Sequence, residues 1–156
     1  MPNSRVITVC IVCSLVLMAS AFPTTASAKP ARDAATKAMV AKVNSVRARG
    51  GLPPLRTSRS LRGSSARFAH FLMRRDVLGH GPGVHASGRF RRLGEALALR
   101  SGRRFGVAGT VRMWMRSPTH RRVLMTRTMR WVGAGVVRGR FRGRRATIWV
   151  LQTGGL

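Results

Sequence analysis

The chain has 156 residues, with 30 Lys and Arg against 3 Asp and Glu, for a formal net charge of +27 at pH 7. That length allows one ordinary hydrophobic core and leaves no room for a second domain. The charge makes the chain repel itself and bind polyanions readily, and no P-loop or dinucleotide fingerprint is present to suggest nucleotide chemistry.

The first segment reads as an export signal. Met1-Pro-Asn-Ser-Arg5 carries one positive charge, an apolar run extends from Val6 to Phe22, and Ala26-Ser27-Ala28 is a small-x-small cleavage site. The run is shorter than the roughly 20 apolar residues a permanent anchor needs, so cleavage after Ala28 is expected. Both cysteines, Cys10 and Cys13, lie in that apolar run, and neither has a lipobox before it. The mature chain Lys29–Leu156 is therefore cysteine-free and must fold without disulfides, as suits a bacterial exported protein. Only Lys29, Lys37 and Lys42 are lysines; arginine supplies the remaining bases. A GC-rich genome accounts for arginine over lysine but not for the scarcity of acids, limited to Asp33, Asp76 and Glu95.

After a linker over 29–35, a domain over 36–156 is expected. A first helix is predicted over Asp33–Arg49, with Met39, Val43 and Val46 on one face and Asp33 as a first-turn acid. Gly50-Gly51 stops it, and Leu52-Pro53-Pro54-Leu55 is an extended linker. A second helix spans Ser58–Asp76 with Leu61, Ser65, Phe68 and Leu72 on one face. The glycine-rich run Gly79–Val84 is loop, and Leu93–Ala98 is a short apolar stretch interrupted by the only glutamate. A third helix is predicted over Val107–Arg116. Ser117-Pro118 then caps and opens a short helix through Met125. The strands Trp131–Arg138 and Ala146–Gln152 form a terminal hairpin joined by the Arg-rich segment 139–145. Helices first and strands last make the class α+β.

These segments resemble the CAP superfamily (cysteine-rich secretory proteins, antigen 5 and pathogenesis-related protein 1), especially its short bacterial members. The resemblance runs over about residues 36–154. It is carried by Val43-Asn44-Ser45-Val46-Arg47, Gly51–Leu55, Ala66–Met73, Leu78-Gly79-His80, Gly94–Ala98, Trp114–Arg121, Val132–Val136 and Ile148–Gln152. The stretch Trp114-Met115-Arg116-Ser117-Pro118-Thr119-His120-Arg121 is the most specific. The resemblance implies an α-β-α sandwich with a small antiparallel sheet between helical layers. It also implies a surface cleft that gathers two histidines and up to two acids and that binds zinc in some members. By motif, His80, Glu95 and His120 fall at three of those positions. Ser117 lies near the position of the second acid, and Gly81-Pro82-Gly83 replaces an Asp-containing turn.

Two imidazoles and a carboxylate suit a zinc first shell with an open position for water. A hydrolase would also need a general base, and the second acid is missing. His80, Glu95 and His120 therefore stay open among a hydrogen-bonded structural cluster, a metal site and a catalytic site. His85 or His70 could substitute as the general base, but His70 reads more simply as a packed or surface-bridging helix histidine and His85 as a solvated loop residue. Trp114, Trp131 and Trp149 read as core. Phe141 is expected to project from an Arg-rich hairpin turn, either pressing into a bilayer interface between cationic neighbours, stacking a nucleic-acid base, or standing as an ordinary solvated tip. Arg140, Phe141, Arg142 and Arg144 are the candidate ligand-binding residues.

The expected protein is thus a secreted, monomeric, non-catalytic binding module for lipid or anionic cell-envelope ligands such as a cell-wall polymer. The alternatives are a metal-assisted extracellular hydrolase using Zn²⁺ at His80, Glu95 and His120, and a cationic antimicrobial or nucleic-acid-binding protein. The latter rests on non-specific charge alone, because no recognition motif supports it.

Overall fold

The computed structural model describes residues 28–81, 86, 88–101 and 106–156. The segment expected as an export signal and His85 lie outside the described residues. Eight elements follow one another: α1 (Ala28–Arg49), β1 (Arg56–Thr57), α2 (Arg59–Arg75), β2 (Arg92–Ser101), α3 (Val107–Arg116), α4 (Pro118–Met125), β3 (Trp131–Phe141) and β4 (Arg144–Gly155). The strands form one sheet in the order β1-β3-β4-β2. β2 and β3 pair antiparallel with β4, while the two-residue β1 adds a parallel edge to β3. This is the expected α+β sandwich.

Strand alternation builds two cores, one on each face of the sheet. Val132, Ala134 and Val136 of β3, Trp149 and Leu151 of β4, and Ala96 and Ala98 of β2 face Met39 and Val43 of α1, Val111 and Trp114 of α3 and Leu124 of α4. The intervening residues Val137, Ile148, Val150 and Leu97 face Ala69 and Leu72 of α2. On that second face the approach is unusually close. A Cβ on Gly133 would lie 2.1 Å from the Leu61 carbonyl carbon and the Arg62 nitrogen, and one on Gly135 would lie 2.4 Å from the Ser65 carbonyl. Backbone thus rests on backbone, and no other residue fits at either position.

Local chemistry explains most boundaries. Ser58 caps α2 by accepting from the Leu61 N–H at 3.4 Å. Asp76 ends α2 in the left-handed region (φ 52°), and its Oδ1 accepts from the Arg142 N–H at 2.8 Å, tying the helix to the hairpin. Gly51, at φ 64°, turns the chain out of α1.

Three expectations need correction. Residues 29–35 are helical rather than linker, since the alanines at 31, 34 and 35 extend α1 and Ala35 packs on the core. The hairpin loop is not seven residues long. Arg142 and Gly143 alone make it, both at positive φ (47° and 77°), the pattern of a type I′ turn. The longer strands turn Phe141 inward, where it is 7% exposed and packs with Leu72, Ala146 and Ile148. Its ring does not project from the tip.

Arg47 was legible only as part of a motif, yet it is fully buried at 0% exposure. Its guanidinium donates to the carbonyls of Pro53 (3.0 Å), Leu124 (2.7 Å), Thr126 (3.2 Å) and Met129 (3.5 Å). Burial and the nearby Arg130 charge lower its pKa. Four carbonyl dipoles, rather than a carboxylate, compensate this buried cation. Beside it, Asn44 pairs with both backbone groups of Leu55, accepting from N–H at 2.9 Å and donating to C=O at 3.0 Å.

Candidate functional site

The structure brings His80 and Glu95 into direct contact. His80 Nδ1 lies 2.9 Å from Glu95 Oε1, which requires the hydrogen on Nδ1 when the carboxylate is ionised. Glu95 sits on β2 opposite Gln152 of β4, and Gln152 Nε2 donates to Glu95 Oε2 at 2.8 Å. The Ser65 hydroxyl of α2 is placed to donate to Gln152 Oε1 or to the Gly133 carbonyl, each at 3.2 Å. A polar line therefore runs Ser65–Gln152–Glu95–His80, from the buried floor beneath α2 to a histidine whose side chain is 57% exposed. Buried Gln152 orients the carboxylate, and the carboxylate orients the imidazole.

His120 enters from the other helical layer. It lies in the first turn of α4, and its Nδ1 is 2.9 Å from Ser117 Oγ. Ser117 holds the N-cap position, but its hydroxyl engages this imidazole instead of a helix N–H. Burial first, and the neighbouring His80 second, lower the His120 pKa. Both effects disfavour the protonated ring, and both imidazoles keep Nε2 away from the bonds just described. Gly94 makes the approach of α4 possible. A Cβ there would lie 2.8 Å from Thr153 Oγ1 and 3.2 Å from Val123 of α4.

This geometry bears on the zinc expectation. Both Glu95 oxygens are engaged by neighbours, leaving two imidazole nitrogens, fewer than the three protein ligands of a catalytic zinc. Among the described residues no group of three or more His, Cys, Asp or Glu side chains is placed to hold a metal ion. The donor set does not fit zinc unaided. His70 is half-buried on α2, with Nε2 3.4 Å from Arg32 Nη1 of α1. Trp114 and Trp149 are buried core residues, as expected, and Trp114 Nε1 donates to the Leu97 carbonyl at 2.8 Å. Trp131 is only half-buried, with the Arg89 guanidinium 4.9 Å from its ring centre. Arg140, Arg142 and Arg144 are exposed around the hairpin turn.

A second feature was not anticipated. Between α1, α3 and α4 lies an open groove of about 540 Å³. Its floor is Val46, Val111, Met115 and Met125, and its rim is Lys42, Arg49, Arg112, Arg116 and Arg121. Gly50 keeps one end open, since a Cβ there would lie 2.5 Å from Met125 Cε. The available signal was Arg112 and Arg116, one helical turn apart beside Met115 on a helix that also contributes to the core.

Taken together, a four-stranded mixed sheet between helical layers, a His80–Glu95 pair and His120 within electrostatic reach of His80 make a CAP-type sandwich. The sequence profile of the cysteine-rich secretory protein family matches residues 40–153, and the chain belongs to that family. Solved structures agree on the fold. An outer surface protein from Borrelia burgdorferi superposes with a TM-score of 0.63 at 18% identity, covering 76% of this chain and 90% of that one. An extracellular SCP-domain protein from Bacillus anthracis gives 0.64 at 16%, over 82% of this chain and 42% of that one. A venom allergen-like protein from Schistosoma mansoni gives 0.59 at 16%, over 78% and 89%. No curated protein matches by sequence.

Proposed function

We propose that this protein is an exported, non-catalytic binding module whose ligand is an anionic amphiphile, held in the groove between α1, α3 and α4. The observation that carries this reading is the pairing of an apolar floor with a wholly cationic rim. Burying an acyl chain against Val46, Val111 and the two methionines gives about 0.8 kcal/mol per methylene. The flexible thioethers adapt to chains of different length. The rim meets a phosphate or carboxylate head with guanidinium donors. Export is supported by the pattern of residues 1–28 and by extracellular and outer-surface proteins among the similar structures.

The test is a titration with a fluorescent acyl phosphate at low and at high salt. Binding that persists at high salt and is lost in Met115→Glu supports the reading. Binding that disappears with salt, or that ignores Met115→Glu, overturns it.

Metal-assisted hydrolysis is the second reading, which the lowered pKa of His120 favours and the incomplete donor set opposes. Calorimetric zinc titration of the protein and of a His80→Ala, His120→Ala double variant decides it. Tight one-to-one binding lost in the variant would revive that reading.

A further inference from the structure

The far end of the sheet carries a second cationic surface, which shares Arg112 and Arg116 with the rim of the groove and otherwise lies apart from it. Strand register places Arg100 of β2 and Arg138 of β3 on either side of Thr147 of β4, in one row across three strands. Two residues further along, Arg140 of β3 stands directly opposite Arg145 of β4. The alternation that sends Ala96, Ala98, Val136 and Trp149 toward α1, α3 and α4 puts all four arginines on that same face. Arg138, Arg140 and Arg145 are exposed there, and Arg100 is half-buried, with Nη1 3.2 Å from Met113 Sδ of α3. Arg100 also lines a cavity of about 540 Å³ with Arg112 and Arg116 of α3. Six guanidiniums thus lead from the hairpin into that cavity.

Two features separate this surface from ordinary solvated charge. Like charges directly opposite across an antiparallel pair destabilise it, and Arg140 against Arg145 is such a pair. Among the described residues no carboxylate forms an ion pair with either guanidinium: Glu95 is engaged by His80 and Gln152, Asp76 accepts from the Arg142 N–H, and Arg140 Nη1 donates to the Gly143 carbonyl at 2.9 Å. The second feature is the spacing. Arg138 and Arg140 are two residues apart on β3, about 6.6 Å at the rise of a strand. That is the same order as the separation of successive phosphates on an extended phosphodiester chain.

We propose that this arginine grid is a binding track for a linear phosphodiester polymer without bases, a polyol phosphate, with the Arg100–Arg112–Arg116 cavity receiving one of its phosphates. Guanidinium forks match phosphate oxygens bidentately. Nucleic acid is the less fitting occupant, because Phe141 is buried on the opposite face and the grid positions are arginine and threonine, offering no ring on which a base stacks.

The test is equilibrium titration of the full chain with short poly(glycerol phosphate) across a salt series. It is run beside Arg138→Gln, Arg145→Gln and a charge-matched control, Arg59→Gln, Arg62→Gln, at the exposed start of α2 on the other face. The grid variant is expected to weaken binding at least tenfold at physiological salt and to reduce the log–log salt slope by roughly 1.4, two contacts at about 0.7 each. Its thermal midpoint should equal or exceed that of the wild type, because a like-charge pair has been relieved. Equal weakening by the control would overturn the proposal in favour of diffuse charge. So would tighter binding of a single-stranded oligonucleotide of equal charge, or no binding of the polyol phosphate at all.

Discussion

Replacing Arg47 with Met tests whether a buried cation can be held by carbonyl groups alone. The Leu124 and Met129 carbonyls are buried acceptors, whereas those of Pro53 and Thr126 are partly buried and regain water when the donor is removed. A hydrogen bond from a charged donor is worth about 1.5–3 kcal/mol. The 2.7 Å bond to Leu124 carries the largest share, and the 3.5 Å contact to Met129 little. Against this stands the desolvation of the guanidinium, the same burial that lowers its pKa and that Met does not suffer. The net expectation for Arg47→Met is a loss of about 2–4 kcal/mol, a large part of the roughly 5–15 kcal/mol that holds an ordinary domain together. Arg47→Lys keeps the charge but cannot span four carbonyls, and should lose about 1–3 kcal/mol. Urea unfolding followed by tryptophan fluorescence measures both. A Met variant as stable as the wild type, with an unchanged slope, would show that desolvation cancels the carbonyl bonds and refute the reasoning.

Gly135→Ala should cost at least about 2 kcal/mol in the same assay, because the new methyl meets the Ser65 backbone rather than a movable side chain. Asn44→Ala removes both bonds to Leu55 and should cost about 1–2 kcal/mol, while Asn44→Asp keeps the acceptor half but sets a carboxylate oxygen against the Leu55 carbonyl and should cost no less. His120 predicts a pH dependence. Its folded pKa lies below the ordinary value of 6.5, so the unfolded chain takes up the proton first. Its contribution to stability should therefore be complete above about pH 6.5 and decline as pH falls from there toward the folded value. A flatter acid limb for His120→Gln in urea unfolding at several pH values confirms it; an unchanged limb contradicts it.

Much of the fold was legible because its boundaries are set by local chemistry. Ser58, Asp76 and Pro118 mark helix ends by capping or ring geometry, and α3 coincides with its apolar spacing. The hairpin was visible but its length was not. The run of arginines masked a two-residue turn, and reading Phe141 as loop reversed its side. Of the cleft, His80, Glu95 and His120 were found through motif resemblance. Their supports, Gln152 and Ser65, were hidden because a polar residue near the end of an apolar strand does not announce which neighbour it satisfies. Arg47 was hidden for a different reason: its partners are backbone carbonyls, which every sequence possesses.

The two helical layers differ in what they would let evolution change. Under α2, glycines press main chain against main chain, and a single added carbon has nowhere to go. On the opposite side the layer is filled by Trp114, Leu124 and a set of methionines, Met39, Met113, Met115, Met125 and Met129, whose long unbranched side chains can be resized one against another. Substitutions should accordingly accumulate on the α1, α3 and α4 side, where ligand preference could drift. The polar line from Ser65 to His80 is anchored to the intolerant side and would be inherited almost unaltered. A lineage built on this fold could diversify what it carries without rebuilding the frame around its histidines.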